Sequence, residues 1–568
     1  TDKTVGNKAA LTVNNGVTPS NKVENEPPVI KPSKQDTQKD PTINIDGKTA
    51  LLGDKVYYRV NIDASGLTDT AYKVWRLGMT DDYDQEYLTL DAKHVEILDE
   101  TGRDRTGEFN IQDKDGVLYV FAKTVDTQIP ATGETVKGDP QPADLKAYSE
   151  KSDKDYDPLK DPSIDQSLLG HTYQVVMPMT VTKVKDGHTV ENTATQVTND
   201  KRDKTNTVTN PLKEINPTKD VTVKVGGDSI AGKSVYLNHT FLYRLDSSIL
   251  PPDRAYQTIT DWGGTDQLTT EYDQYLGNWA VYASRDLYRD GQVLAARGEK
   301  IAGSGFDSSK FGGNLFTVDA DDNGKVTVNA TQAYLDLVSA DNEHEAGWVL
   351  YLQCKRIAVA DEVPNTWTET INGQPRESNK VVTKTPDMTP SIHLEKVDTP
   401  TLKQEGQERA DRDDPKQALK MDADSIGITF IITNTSKTDP ATGDGAWFQA
   451  SDLDLADSTI VGDAHVDMDS LAYPDNWDTL VLKPGESVSV TGTLKGVREG
   501  DTHTDRAIVT GTPLVECAPS NGDPFNDKTN GGEDTDPEYS TGDVTEIDGK
   551  QLCADTQVTS NTDDWNGY

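Results

Sequence analysis

Short stretches in which hydrophobic and polar residues alternate recur along the whole chain. Alternation of this kind is typical of β-strands with one buried face. Few segments resemble helices, and the better candidates are Pro142–Glu150 and Ala333–Ser339. The pattern predicts an all-β protein made of tandem immunoglobulin-like β-sandwiches, elongated, with short helical excursions. The clearest strand candidates are Lys55–Val60, Thr172–Thr182, Thr240–Leu245, Trp348–Val359 and Ile428–Thr433.

Two long segments of the chain repeat each other in register. The spacing from Lys34 to Lys48 equals the spacing from Lys219 to Lys233, and an alternating strand follows in each copy. Each copy then has a Thr-Asp pair, Thr80–Asp82 in the first and Thr260–Trp262 in the second. Each copy ends on an Asn-Thr pair at Asn192 and Asn365.

Lys, Asp and Asn at matching points of two sandwiches are the ingredients of an intramolecular Lys–Asn isopeptide bond. Burial lowers the pKa of a lysine and frees its nucleophilic lone pair. Burial also raises the pKa of an aspartate, which can then polarise the asparagine carbonyl and pass a proton to departing ammonia. The repeat therefore predicts domains that join their own first and last strands.

Connectors rich in proline and charge divide the chain into four parts. They lie at Glu26–Lys39, Asn210–Asp220 and Thr385–Ser391. We predict domains over residues 25–211, 212–386 and 387–568. The spacing from Asn7 to Asn21 equals that from Asn192 to Asn206, so residues 1–24 are interpreted as the closing hairpin of a truncated preceding domain.

The composition limits which classes of molecule the protein is expected to bind. A formal charge of −40 opposes binding to nucleic acid or anionic lipid, which requires clustered Lys and Arg. No hydrophobic run approaches the length that spans a membrane, so no membrane insertion is expected. We expect a monomer.

Three cysteines are few for 568 residues. Cys517 and Cys553 flank a polar loop, and we predict a disulfide between them, in keeping with an exported protein. Cys354 lies within a predicted strand and is interpreted as a buried thiol. The scattered histidines and cysteines form no zinc-type motif.

Several strings in the correct order resemble the C-terminal domains of the streptococcal antigen I/II surface adhesins. They are IDGKTALLG at Ile45–Gly53, PTKDVTV at Pro217–Val223, YDQYLGN at Tyr272–Asn278 and KRIAV at Lys355–Val359. The third domain is more similar to a general sandwich of Gram-positive surface proteins, through Ile428–Ser436 and Leu482–Gly492.

The resemblance assigns the isopeptide residues, which agree with the register of the repeat. In the order nucleophile, acid and electrophile they are Lys34, Asp81 and Asn192, then Lys219, Asp261 and Asn365. Asp82 is the alternative to Asp81. In the third domain the corresponding candidates are Lys396, Asp452 and Asn561, with Asp454 as the alternative acid.

The resemblance implies the stalk of an adhesin anchored to a bacterial cell wall. Its implied partners are host glycoproteins, matrix proteins and other microbes. A pilin-like shaft subunit and a calcium-dependent glycan-binding module are the alternatives. No catalytic arrangement for turnover is found, so we expect no enzyme beyond autocatalytic bond formation. No cofactor is expected except Ca²⁺, which relatives bind; Asp319–Gly324 is better interpreted as an acidic hairpin turn than as a calcium loop.

Overall fold

The computed structural model describes residues 4–129, 132–139, 142–399, 410–525 and 544–568. Antiparallel β-strands dominate it and form three successive β-sandwiches. The all-β prediction is confirmed. None of the helices among these residues is long and apolar enough to cross a membrane.

A two-stranded hairpin precedes the first sandwich. Its strands are Val5–Val13 and Gly16–Asn25, and every residue in them is exposed. Leu11 and Val17 are each about two-thirds exposed, so the apolar side chains of the hairpin have no core to enter among the described residues. Its assignment to a preceding domain stays a prediction.

The first sandwich packs two five-stranded sheets face to face. One sheet consists of Ser33–Thr37, Lys55–Asp63, Leu88–Leu90, Glu96–Asp99 and Thr172–Val181. The other consists of Leu77–Asp82, Phe109–Lys114, Val117–Ala122, Ala194–Thr198 and Lys201–Lys204. Two-stranded additions pair Thr124–Val125 with Ser163–Ile164, Thr127–Gln128 with Thr135–Val136, and Thr189–Asn192 with Val208–Pro211.

The second sandwich repeats this topology. One sheet consists of Thr218–Thr222, Thr240–Asp246, Asp273–Ala283, Lys300–Gly303 and Trp348–Arg356. The other consists of Trp262–Gln267, Phe316–Ala320, Lys325–Ala330, Trp367–Ile371 and Gln374–Glu377. Additional pairs are Leu287–Arg289 with Gln292–Ala295 and Ala360–Asn365 with Val381–Thr385.

The third sandwich is smaller. Its first sheet contains Ile392–Thr399, Ile426–Asn434, His465–Val466 and Ser487–Lys495, and its second contains Asp454–Val461, His503–Gly511, Val558–Thr559 and Asp563–Gly567. Phe448–Gln449 pairs with Val481–Leu482, and a small sheet joins Leu514–Glu516, Val544–Ile547 and Lys550–Ala554.

Helices are short and lie at the edges of the sandwiches. The α-helices are Leu145–Glu150 and Gln332–Ala340, close to the two segments predicted from sequence. The second packs Tyr334, Leu335 and Val338 into the core of the second sandwich. Single turns of 3₁₀ helix occur at Ala92–His94, Thr106–Glu108, Gln166–Leu168, Ser309–Phe311, Pro415–Gln417, Ala450–Asp452, Met468–Ser470 and Trp477–Thr479.

Alternate residues of the strands fill each core, as the sequence pattern requires. In the strand Lys55–Asp63, Val56, Tyr58, Val60 and Ile62 are buried between the sheets. The predicted thiol of Cys354 is likewise fully buried, and burial raises its pKa well above the usual value. These cores are apolar enough that any charged group within them must be paired.

Successive sandwiches contact each other through polar groups. Lys48 forms a 2.8 Å ion pair with Asp253, and the Tyr256 hydroxyl donates to the Lys55 carbonyl at 2.7 Å. Between the second and third sandwiches, the Ser234 hydroxyl donates to Asp439 at 2.7 Å. Contacts on both sides of each short connector oppose free rotation of one sandwich against the next.

The predicted disulfide is present between Cys517 and Cys553. Cys517 follows the strand Leu514–Glu516, and Cys553 lies in the neighbouring strand Lys550–Ala554. Trp447, Leu514 and Leu552 pack together beside it. The bond holds this small sheet together across a sequence separation of 36 residues.

Removing the disulfide should destabilise the third sandwich. The double variant Cys517→Ala/Cys553→Ala restores the entropy of an open loop to the unfolded chain, an effect of about 3–4 kcal/mol for a loop of this length. Differential scanning calorimetry should show one transition moved to lower temperature. A reducing agent should cause the same shift in the natural chain and none in the variant; an unchanged natural chain would contradict the assignment.

Candidate functional site

A buried lysine connects the two sheets of the first sandwich. Lys34 lies on the strand Ser33–Thr37, and its side chain is fully excluded from solvent. Its Nζ donates to Oδ2 of Asp81, which lies on the strand Leu77–Asp82 of the opposite sheet. The same Nζ is 4.5 Å from the centroid of the Tyr58 ring. The lysine and its acid therefore bridge the sandwich through its core.

Burial controls the protonation of this centre. Desolvation lowers the pKa of Lys34 below its usual value, and this effect exceeds the opposing attraction of Asp81. Asp36, two residues along the same strand, has its pKa raised to about 7 by burial. A lysine in this setting gives up its proton more readily and becomes a nucleophile.

Asn192 carries an unsatisfied carboxamide in the same core. It ends the strand Thr189–Asn192, two residues before Ala194, and Ala194 pairs directly with Asp81. Asn192 is buried, and neither its Oδ1 nor its Nδ2 has a hydrogen-bond partner. Leaving buried polar atoms unpaired costs about 1–3 kcal/mol per group. Asn192 thus keeps an unpaired carboxamide in the same core that holds the Lys34 amine.

A second asparagine fixes the last hairpin to the first strand. The Asn206 side chain accepts from the Lys34 main-chain nitrogen and donates to its carbonyl, both at 2.9 Å. Thr205 Oγ1 accepts from the main-chain nitrogen of Ala194 at 3.0 Å. This Thr-Asn pair, which we call the backbone clamp, holds the lysine-bearing strand against the strand that follows Asn192.

The second sandwich contains the same arrangement. Lys219 Nζ donates to Asp266 Oδ2 and lies 4.5 Å from the Tyr243 ring centroid. Burial lowers the pKa of Lys219. Asn365 is buried, and neither Oδ1 nor Nδ2 of its carboxamide has a hydrogen-bond partner. The Asn379 side chain accepts from the main-chain nitrogen of Lys219 and donates to its carbonyl, both at 2.9 Å.

The sequence prediction of Asp261 as the acid of this centre is wrong. Asp261 precedes the strand Trp262–Gln267 and lies in a partly exposed turn, where it accepts from Gly373 N at 3.1 Å. Asp266 pairs with Trp367 as Asp81 pairs with Ala194. Spacing would have identified it, because Asp81 and Asp266 both lie 47 residues after their lysine and both follow a threonine.

The alternative acid in the first sandwich is also settled by burial. Asp81 is fully buried, whereas the neighbouring Asp82 points to the opposite side of the strand and is exposed. Asp81 is therefore the residue that meets Lys34.

The acid predicted for the third sandwich is wrong as well. Lys396 is buried, but Asp452 and the alternative Asp454 are both exposed. Lys396 Nζ instead donates to Asp457 and lies 2.6 Å from Asp505 Oδ1. Alternation along the strand Asp454–Val461 turns Asp457, and not Asp454, toward the lysine.

Asn561 is not the electrophile of the third sandwich. Its side chain accepts from the main-chain nitrogen of Leu394 and donates to the Leu394 carbonyl, both at 2.9 Å. The neighbouring Ser560 accepts from Val509 N at 3.1 Å. Ser560 and Asn561 thus form a backbone clamp, the role of Asn206 and Asn379. The residue two positions before Val509 is Ala507, so no carboxamide occupies the place of Asn192.

The described residues contain no group of three or more His, Cys, Asp and Glu side chains arranged to hold a metal ion. Asp319–Gly324 lies in the hairpin that connects Phe316–Ala320 to Lys325–Ala330. Asp321 Oδ1 accepts from the main-chain nitrogens of Asn323 and Lys325 there.

Comparisons with known proteins place most of the chain beside bacterial surface proteins. Residues 32–212 match a family described as the cell surface antigen I/II C2 terminal domain, and residues 216–386 match one described as the cell surface antigen C-terminus. The aggregation substance of Enterococcus faecalis is 30% identical over 351 residues, which is 60% of this chain and 23% of that protein.

Two solved structures are similar over the same part of the chain. The C-terminal domain of the Streptococcus pyogenes antigen I/II-family protein AspA is 22% identical with a TM-score of 0.47. The C-terminal domain of the Streptococcus agalactiae AgI/II polypeptide BspA is 18% identical with a TM-score of 0.45. Each match covers 62% of this chain and 99% of the other.

Two aspartates of the second sandwich should respond differently to replacement. Asp266→Ala leaves a buried lysine without its hydrogen-bonded counter-charge, a loss of about 3–5 kcal/mol. Asp261→Ala removes only turn hydrogen bonds near the surface, at a cost of about 1 kcal/mol or less. The midpoint temperature of thermal unfolding should therefore fall strongly for Asp266→Ala and little for the matched control, Asp261→Ala. Equal shifts would contradict the corrected assignment.

Proposed function

Because residues 32–212 and 216–386 of this chain belong to the antigen I/II family of cell-surface antigens, we propose that the chain is a stalk segment of a bacterial adhesin reinforced by Lys–Asn isopeptide bonds. The adhesin presents binding regions to host or microbial surfaces while anchored to the cell wall. The observation that carries the proposal is a buried lysine, acid and unsatisfied asparagine at matching positions of two sandwiches.

The first step in each centre is a proton transfer. Lys34 gives a proton to Asp81, which accepts it because a charged pair without water is costly to maintain. The neutral amine then attacks Cγ of Asn192, while protonated Asp81 hydrogen-bonds to the carboxamide. Lys219, Asp266 and Asn365 have the same roles in the second sandwich.

The second step expels ammonia. The new bond joins lysine Nζ to asparagine Cγ, and the Cγ–Nδ2 bond breaks. The protonated aspartate gives its proton to the departing nitrogen and takes one proton from the lysine nitrogen. It then passes that proton to the released ammonia, which leaves as ammonium, and the aspartate ends as the carboxylate it was at the start. No oxidant or external reactant is consumed, and the folded core supplies the proximity that the reaction needs.

The position of these bonds favours a mechanical role. Each would join the first strand of a sandwich to the strand that precedes its last hairpin. Force applied to the ends of the first sandwich enters through its first strand and through Val208–Pro211, which pairs with the asparagine-bearing strand Thr189–Asn192. A covalent bridge between the first strand and the asparagine-bearing strand carries the load past the hydrogen-bonded sheets, which would otherwise separate one strand at a time.

Intact-mass spectrometry should show the natural chain two ammonia molecules lighter than its sequence, before any contribution from the third sandwich. Asn192→Ala and Asn365→Ala should each abolish one loss, because the electrophile is gone. Asn216→Ala is the matched control, since Asn216 is exposed in the connector. Recovery of linear tryptic peptides with intact Lys34 and Asn192 in good yield would overturn the proposal.

Single-molecule stretching should test the mechanical role. The natural chain should show no long unfolding events from the first two sandwiches, because the bridges bypass most of their residues. The variant Asp81→Ala/Asp266→Ala should unfold and lengthen in both, whereas Asp261→Ala should behave as the natural chain. Full extension of the natural sandwiches at forces that unfold ordinary β-sandwiches would contradict this role.

A further inference from the structure

Among the described residues, the charged partners of Lys396 Nζ in the third sandwich are two carboxylates, Asp457 and Asp505. Its Nζ donates to Asp457 Oδ2, the same kind of contact that Lys34 makes with Asp81. The second carboxylate, Asp505, approaches to 2.6 Å through Oδ1 but without the geometry of a hydrogen bond. All three side chains are at most 2% exposed, so water does not separate them.

The first sandwich defines how a reactive centre is laid out on the strands. A side-chain carbonyl group, from Asn206, accepts from the main-chain nitrogen of the lysine. The acid, Asp81, pairs across the sheet with Ala194. The electrophile, Asn192, lies two residues before Ala194.

The third sandwich has the same layout, but each member lies two residues along its strand from the position that the backbone clamp marks. The clamp contacts Leu394 and Val509, whereas the centre uses Lys396 and Ala507. The carboxylate of Asp563 accepts from the main-chain nitrogen of Lys396. The acid, Asp457, pairs across the sheet with Ala507. Two residues before Ala507 lies Asp505, which therefore occupies the place of the electrophile. A movement of two residues preserves which side chains face the core, so the entire centre is retained.

We propose that the third sandwich forms an amide bond between Lys396 Nζ and Asp505 Cγ with loss of water, and that Asp457 transfers the protons. The proposal extends the isopeptide chemistry proposed for the first two sandwiches and rests on it. Its residues are separate from theirs, so the two proposals are measured independently.

The reaction balances without a further reactant. One ammonium proton moves from Lys396 to the Asp505 carboxylate, giving a neutral amine and a carboxylic acid. The amine attacks Cγ and the Nζ–Cγ bond forms. Asp457 takes a second proton from the nitrogen and delivers it to the Asp505 hydroxyl, which leaves as water when the Cγ–O bond breaks. Asp457 ends in its starting state.

The surroundings of the centre favour condensation. Formation of the amide removes the Lys396–Asp505 charge pair from a core without solvent, where charges are costly to hold. Burial, opposed by the attraction of Lys396, raises the pKa of Asp457 to about 6, so this group exchanges protons near neutrality. The neighbouring His503 is buried as well, with Nε2 3.3 Å from Asp505 Oδ2.

The test is intact-mass spectrometry of the full chain after reduction of its disulfide. The natural chain should lack one water in addition to any ammonia lost from the first two sandwiches. Lys396→Met should restore that water and leave the ammonia losses unchanged. Tandem spectra should show Lys396 joined to Asp505, in a peptide that trypsin does not cleave after Lys396.

Asp505→Asn provides the sharpest variant, because it preserves the shape of the side chain. This variant should form the same amide with loss of ammonia, and its final mass should equal that of the natural bonded chain. The Asp505→Ala chain should lose no water, because its third sandwich has no carboxyl group at this position to react. Circular dichroism should show that the variant remains folded.

Three results would overturn the proposal. The first is a natural chain that has lost no water and yields Lys396 in a linear peptide, and the second is a bond from Lys396 to Asp457. The third is an Asp505→Asn chain lighter than the natural chain by the mass difference between an unreacted Asn and an unreacted Asp side chain. Loss of the ammonia deficits with retention of the water deficit would instead count against the proposed function of the first two sandwiches alone.

Discussion

An ammonium group held between two β-sheets cannot be hydrated, and each of the three sandwiches is organised around that constraint. Lys34, Lys219 and Lys396 are all buried, and each donates to an aspartate on the facing sheet. Breaking such a pair leaves an uncompensated charge in the core, whereas converting the amine to an amide removes the charge altogether. In the isopeptide chemistry that we propose, the strands, the clamps and, in the first two sandwiches, the unsatisfied carboxamides place groups for that second outcome.

The fold and most of the first two centres could be predicted from sequence because they depend on local patterns and on a repeat. Alternation located the strands, and matched spacing identified Lys34, Lys219, Asn192 and Asn365 as equivalent pairs. The Thr-Asp pair at Thr260–Asp261 led to the prediction of Asp261, but a second Thr-Asp pair, Thr265–Asp266, follows five residues later. Two features separate them: the distance of 47 residues from the lysine, which the sequence contains, and the position along the strand, which sets the cross-strand partner.

The third centre was beyond sequence reasoning for a physical reason. Asp452, Asp454 and Asp457 lie within six residues of a strongly acidic chain, and composition does not reveal which of them faces the core. The Asn-Thr signal at Asn561 was correct as a repeat element but belonged to the backbone clamp. Side-chain register between strands, set by packing over the whole sandwich, decides which residues meet Lys396.

The backbone clamp also sets the point during synthesis at which the residues of the first two centres can assemble. Asn206 holds Lys34 across a sequence separation of 172 residues, and Asn379 holds Lys219 across 160. During synthesis the lysine emerges long before the hairpin that must bind it. Until then the nascent chain has no cross-link and can be fully extended. In the proposed chemistry, each sandwich forms its covalent bond only after its final hairpin has been synthesised, so only a complete sandwich becomes cross-linked.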